Sequence, residues 1–267
     1  MGARARKCQS NFEVSRAQII SWATGMIEAY CKQFFGYGRW DAPVWFVGLE
    51  EAGTGTQKEL QTRLSTWDKR GRRELEDAPS FYPACAQYQW HGQDATLQHT
   101  WRRLIRILLW ARGRSVTEEI VLEFQKDMLG ASSGDVCLTE LFPLPAPSHR
   151  RWPYADHENL PDQMRNREQF MEAVLPGRAG ALRNKIAHHH PRAVLFYFWK
   201  PRVFPEEVAG GKFRPIIPEK LLGFERDGTA YFITGHPAGN YPDDYFDELG
   251  RYFHKQCPNL FADSVAP

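Results

Sequence analysis

The sequence predicts an α/β fold, a three-layer αβα sandwich with a mostly parallel central four-stranded sheet. Two observations carry that expectation. Four short runs, Val44 to Leu49, Val136 to Phe142, Ala193 to Trp199 and Ala230 to Gly235, are rich in β-branched and aromatic residues and almost continuously apolar. Strands covered on both faces have this composition. The segments between the runs carry helical periodicity and capping signals, and strands that alternate with helices favour parallel pairing. Ligands of such sheets bind beyond the carboxyl ends of the strands.

Taken in order, Ser15 with Gln18 reads as a capping box opening an early helix that carries Ile19, Ile20, Ala23, Ile27 and Tyr30. It belongs to an N-terminal helical extension over residues 1–42, ahead of the first strand. Residues 54–94 fit the alternation poorly and read as an insertion. Leu97, Trp101, Leu104, Ile105, Leu108 and Leu109 then recur at helical spacing, with Arg102, Arg103 and Arg106 on the opposite face. Ser115 with Glu118 opens the next helix, which Gly130 ends. The run His188, His189, His190 before Pro191 reads as the cationic end of a helix and not as a metal site, because helical neighbours point about 100° apart. Residues 201–228 form a second insertion that closes in a hairpin turn at Asp227-Gly228. Pro242 starts the last helix, with Asp243 and Asp244 in its first turn and Tyr245, Phe246, Leu249, Tyr252 and Phe253 facing the core. No repeat or linker divides the 267 residues, so a single domain over 1–267 is expected.

Composition narrows the function classes. No apolar run approaches the ~20 residues that cross a bilayer, so no membrane partner is expected. Met1 to Lys7 is basic but leads into Gln9, Ser10 and Asn11, where an export signal would be apolar. Cys8, Cys31, Cys85, Cys137 and Cys257 are scattered, odd in number and without a CxxC pair, which suits reduced thiols in a cytoplasm and suggests no metal or cofactor. A net charge of only +2 requires any nucleic-acid site to be a local basic patch. Gly53-Thr54-Gly55-Thr56 lacks the Gly-Lys-Ser/Thr ending of a phosphate loop, and the adjacent carboxylates would repel phosphate.

Three strand ends carry unusual polar clusters: Gly48-Leu49-Glu50-Glu51-Ala52-Gly53, Thr139-Glu140-Leu141-Phe142-Pro143 and Gly235-His236-Pro237-Ala238-Gly239-Asn240. Singly, each has an ordinary reading, since strand-end carboxylates cap loops and a His-Pro is commonly a turn. In this order and at strand ends they resemble the signature of the uracil-DNA glycosylase superfamily. That signature is a glycine and an acidic or amide residue after the first strand, a base-reading polar residue closing a middle strand, and a late His-Pro loop. The resemblance spans about Val44 to Asn240 through short motifs.

The resemblance implies a monofunctional DNA glycosylase, metal-independent and without lyase chemistry, since no lysine lies in the three motifs. It makes Glu50 the carboxylate that stabilises an oxocarbenium-like sugar and directs water to C1′. Glu51 stands where the family usually has proline, and it shares or replaces that role. His236 matches the histidine that donates to the departing base. Glu140 stands where uracil-specific members often carry asparagine. A carboxylate accepts from the exocyclic amine of cytosine, which points to a modified cytosine such as the glucosylated hydroxymethylcytosine that a phage-defence branch of the superfamily excises from phage DNA. A structural alternative pairs Glu140 with an arginine such as Arg150.

Phe81 and Tyr82 are candidates to stack on the flipped base, with core packing the ordinary alternative. Ser148, His149, Arg150, Arg151 and Asn240 are candidates to hold DNA, and Tyr241 stands where family members insert a wedge. The expected partner is double-stranded DNA, bound by a monomer. Competing expectations are a repair glycosylase for uracil or hypoxanthine, and a DNA-binding relative inactivated by Glu51-Ala52 in place of the familiar Pro-Gly. A small-molecule nucleoside hydrolase ranks last.

Overall fold

The computed structural model describes residues 16–148, 151–157, 160, 162–242 and 244–263. In chain order these form α1 (Arg16–Gln33), β1 (Gly36–Tyr37), β2 (Val44–Ala52), α2 (Gln57–Lys69), β3 (Leu75–Glu76), α3 (Ala78–Ala84), α4 (Tyr88–His91) and α5 (His99–Ala111). There follow α6 (Glu118–Asp127), β4 (Val136–Ala146), α7 (Asp162–Arg165), α8 (Arg167–His189), β5 (Ala193–Phe196) and α9 (Val203–Ala209). The chain ends with β6 (Arg214–Ile217), β7 (Leu221–Arg226), β8 (Thr229–Thr234), α10 (Asp244–Gln256) and α11 (Pro258–Phe261).

All four apolar runs form strands, and they pair in parallel in the order β4-β2-β5-β8. Val44 lies opposite both Val136 and Ala193, and Ala193 lies opposite Ala230, so the strands start level and end at one edge of the sheet. Their residues are almost wholly buried, as a sheet covered on both faces requires.

The sheet is nevertheless eight-stranded and mixed, in the order β3-β1-β4-β2-β5-β8-β7-β6, and not four-stranded. The two segments read as insertions, together with the supposed extension, supply the additional strands. Asp227 and Gly228 take φ of 51° and 79°, the left-handed pair of a two-residue hairpin, and so fold β7 back against β8. At the other side Gly36 pairs with Thr139 at φ 141°, where a Cβ would lie 2.1 Å from the Leu138 carbonyl oxygen. Only glycine allows that approach. From the segment read as the N-terminal extension, Met26, Ile27, Tyr30, Cys31, Phe34 and Phe35 are core, while Ser15 lies outside the described residues. Likewise 54–94 contributes Leu60, Leu64, Trp67 and Phe81 to the core.

The helices arise as their periodicity dictates, with three corrections. Thr117, not Ser115, caps α6, its hydroxyl accepting from the Ile120 N–H. Pro242 precedes α10, which buries Tyr245, Phe246, Leu249 and Phe253, but α11 follows it, and Asp243 lies outside the described residues. Arg103, placed by periodicity on the solvent face of α5, is buried. α5 packs along α10 and also meets α6 and α11, while α8 packs on α1, α7 and α9. α8 ends at His189 with His190 in the left-handed capping conformation. No helix of the described residues is long and apolar enough to cross a membrane.

Candidate active site

The carboxyl end of β2 and the middle of β4, with the segments that follow β5 and β8, wall a cleft of about 220 Å³. This lies below the roughly 300–1,000 Å³ typical of sites for drug-sized ligands. Glu50 and Glu51 enter from β2, Glu140 from β4, Tyr197 from the residue after β5, and His236 from the loop after β8. The three polar clusters therefore meet in one place. Strand alternation would send Glu50 and Glu51 to opposite faces. A register shift between Glu50 and Ala52 against β4 re-aims the strand end, and both residues line the cleft.

The Glu50 side chain is 8% exposed and ion-pairs through Oε2 with Arg167 at the start of α8. Its Oε1 is buried without a hydrogen-bond partner. Burial raises the Glu50 carboxyl from the ordinary 4.5 to about 7 against the opposing pull of Arg167. Glu50 thus titrates in the range where a carboxylate is an effective general base at neutral pH. Arg167 lies over the Trp152 ring at 5.5 Å and also donates to the Ser148 carbonyl.

Glu51 is committed elsewhere. It accepts from the Tyr37 hydroxyl at 2.8 Å, the Tyr82 hydroxyl at 2.5 Å and Arg63 Nη1 at 2.9 Å, with Arg63 only 1% exposed. Its lone pairs are engaged and its charge is balanced, so Glu50 is the better placed of the two carboxylates to react.

Glu140 is 8% exposed, and its Oε1 accepts from the Tyr197 hydroxyl at 2.5 Å. Among the described residues the Tyr197 hydroxyl is thus its side-chain hydrogen-bond partner, and Arg150 lies outside them. Gly48 makes room for the pair, since a Cβ there would come within 2.0 Å of Glu140 Oε2 and 2.2 Å of the Tyr197 hydroxyl. Burial pushes the Glu140 carboxyl well above the usual carboxylate range. Beneath it the buried Arg178 guanidinium of α8 binds the carbonyls of Glu140 and Leu141 at 2.7 and 2.5 Å and those of Cys31 and Phe34 at 2.9 and 2.8 Å. One cation therefore fixes the middle of β4 to the end of α1.

His236 accepts the Ala238 N–H at Nδ1 over 3.0 Å, which leaves the proton of the neutral ring on Nε2. Its ring centroid is 5.8 Å from that of Tyr197. The loop that carries it is gripped by Arg103, which donates to the carbonyls of Pro237, Gly239 and Tyr241 at 2.5, 3.1 and 3.3 Å. This is why Arg103 turns inward from α5.

The remaining candidates divide. Tyr82 lines the cleft, but Phe81 is fully buried among Phe34 and Tyr37 and is a core residue. Ser148 and Arg151 are exposed and bridge one another, and Asn240 is exposed. His149 and Arg150 lie outside the described residues. Tyr241 is tied down on the protein: its hydroxyl accepts from Trp199 Nε1 at 2.9 Å and its ring packs 4.4 Å from Tyr245. Sequence reasoning missed Trp90 and Trp101, which build an aromatic wall with Tyr82, and it missed Tyr197, Arg167 and the clamp at Arg103. Trp101 had been explained as helix periodicity, while Arg167 and Tyr197 belong to no local motif. Among the described residues no group of three or more His, Cys, Asp and Glu side chains converges as a metal-binding set. A scan against protein-family models and a search of curated proteins each return no match to this chain.

Proposed function

We propose that this protein is a DNA glycosylase of the uracil-DNA glycosylase type, which hydrolyses the N-glycosidic bond of a base flipped from double-stranded DNA. The observation that carries this reading is the meeting, in one cleft, of a buried carboxyl poised at about 7, Glu50, with an imidazole whose Nδ1 is already occupied, His236. A bond that breaks to an oxocarbenium-like sugar and an anionic base needs this pair: a carboxylate on the sugar side and a hydrogen-bond donor on the leaving side.

In the proposed sequence the base enters beside Tyr82, Trp90 and Trp101, whose rings replace the stacking it leaves behind. As the bond breaks, electrons pass to the base and Nε2–H of His236 donates to its carbonyl oxygen. Ionised Glu50 stabilises the sugar cation, then takes a proton from the water that attacks C1′, leaving an abasic site. Exposed Ser148, Arg151 and Asn240 are available to hold the backbone, so affinity should fall with salt.

For the base, the lone pairs of Glu140 support a modified cytosine read through its exocyclic amine, as in modified phage DNA. A second reading, a carbonyl-bearing base such as uracil or hypoxanthine, is favoured by the burial that pushes the Glu140 carboxyl up, since a protonated acid can donate to a carbonyl. The test is incubation with duplexes carrying uracil, hypoxanthine, hydroxymethylcytosine and glucosylated hydroxymethylcytosine, scoring alkali-labile sites. Glu50→Gln and His236→Ala serve as controls. Release of a cytosine-derived base alone selects the first reading, and release of uracil or hypoxanthine selects the second. No release from any duplex overturns the glycosylase assignment and favours a DNA-binding protein.

A further inference from the structure

The geometry points to Glu140 acting as a neutral acid that donates from Oε2 into the cleft, with Tyr197 as the positioning residue that fixes the proton on that oxygen. The reason lies in how its two oxygens are used. Oε1 accepts the Tyr197 hydroxyl proton at 2.5 Å, whereas Oε2 is buried without a partner. Gly48 is the only residue type that leaves space for both groups, so the arrangement is built into β2 and not a chance rotamer.

The groups facing Glu140 resist its ionisation. Glu50 and Glu51 on β2 are like charges, and burial acts in the same direction. Arg178 on α8 and the Tyr197 hydroxyl oppose them, but Arg178 spends its N–H groups on backbone carbonyls, including that of Glu140 itself. His236 contributes a ring near Tyr197 and accepts the Ala238 N–H at Nδ1. A buried carboxylate with one oxygen unpaired is costly, while the neutral acid needs only an acceptor supplied by ligand.

This names the ligand edge: a hydrogen-bond acceptor, ring nitrogen or carbonyl oxygen, set beside an N–H donor. The acid's O–H meets the acceptor, and the second lone pair of Oε1 meets the N–H. That ligand class rests on the glycosylase reading, whereas the protonation state of Glu140 does not.

The experiment is carboxyl ¹³C NMR of the whole chain labelled at glutamate, with the Glu140 resonance assigned from its loss in Glu140→Gln and its displacement in Tyr197→Phe. The expected result is an acid-form shift at pH 7 that titrates above neutrality, and titrates higher still in Tyr197→Phe, because the tyrosine hydroxyl favours the ionised form. A merely structural tyrosine would leave that titration in place. Glu140→Gln keeps a donor at the Oε2 position and an acceptor for Tyr197 but cannot ionise, so it should retain more excision than Glu140→Leu, which offers neither group. It should also remove any alkaline loss that parallels the Glu140 titration. An ionised Glu140 at pH 7 overturns the inference and leaves the glycosylase reading standing. A neutral Glu140 in a protein that excises nothing leaves the inference standing and sinks that reading.

Discussion

Glu50 at the end of β2 and Arg167 at the first turn of α8 form an ion pair across 117 residues of sequence, and burial sets the Glu50 titration at about 7 in spite of it. If ionised Glu50 is the reacting form, kcat/KM should rise with pH through that value. Arg167 pulls the titration down, so Arg167→Met should move the acid limb to higher pH. Glu50→Gln should lower kcat by about 10²–10³-fold, the usual cost of losing one group that stabilises transition-state charge. A pH–rate profile of excision checks both, and an acid limb unmoved in Arg167→Met would show that Arg167 does not set the Glu50 titration.

The same titration predicts a stability signature. Glu50 goes from an ordinary 4.5 to about 7 on folding, so the folded state binds its proton more tightly than the unfolded chain. That contribution is complete below about 4.5 and is lost as pH rises towards 7. Thermal denaturation at pH 5 and pH 8 should differ less for Glu50→Gln than for the parent. Equal differences in the two proteins would contradict the raised titration.

Glu51 should behave oppositely to its neighbour. Removing it by Glu51→Ala strands the Arg63 guanidinium, 1% exposed and already carrying two N–H-bearing nitrogens without partners, at a cost of about 3–5 kcal/mol. Denaturant unfolding should show that loss before any kinetic assay is needed. A fully stable Glu51→Ala would mean that the Arg63, Tyr37 and Tyr82 network is dispensable, and would reopen Glu51 as the reacting carboxylate.

Which parts were legible in the sequence follows from which were local. The four central strands announce themselves because a strand buried on both faces has no polar alternation to hide it, and Glu50, Glu140 and His236 stand out because polar clusters interrupt such runs at their ends. β7 was half visible, through the Asp227-Gly228 turn, but β1 and β3 are two residues each and carry no periodicity. Arg103 was misplaced because helical spacing assigns a face and cannot see that the Pro237 and Gly239 carbonyls wait there for a donor. The contacts of Tyr241 were not legible because its place after the His-Pro loop says nothing of Trp199 and Tyr245, which hold it. Tyr197 reads as strand hydrophobicity until Glu140 is seen opposite it.

Arg103 should govern the geometry of His236 without touching substrate. Its guanidinium fastens three carbonyls of the loop and lies 5.1 Å over the Phe246 ring. Arg103→Met should therefore lower kcat by about tenfold or more while KM changes little, because a misplacement of about 1 Å at the donor costs up to 10²-fold. Arg103→Lys should recover part of the loss. Equal losses in kcat/KM arising only from KM would show that the loop binds substrate and does not place the donor.

Under the glycosylase reading, and with Tyr241 held by Trp199, Tyr88 is an exposed aromatic expected to fill the gap left by a flipped base. It is 62% exposed on α4, between Gln87 and Gln89, both of which line the cleft. A ring that stacks in the vacated position offsets the unstacking cost of a few kcal/mol, which single-stranded DNA does not incur. Tyr88→Ala should therefore slow excision from duplex DNA while excision from a single strand is nearly unchanged. In a duplex with 2-aminopurine beside the target, the fluorescence change on binding should shrink in the variant. Equal slowing on both substrates would instead place Tyr88 among the residues that grip the strand itself, because loss of a stacking platform weakens both forms alike.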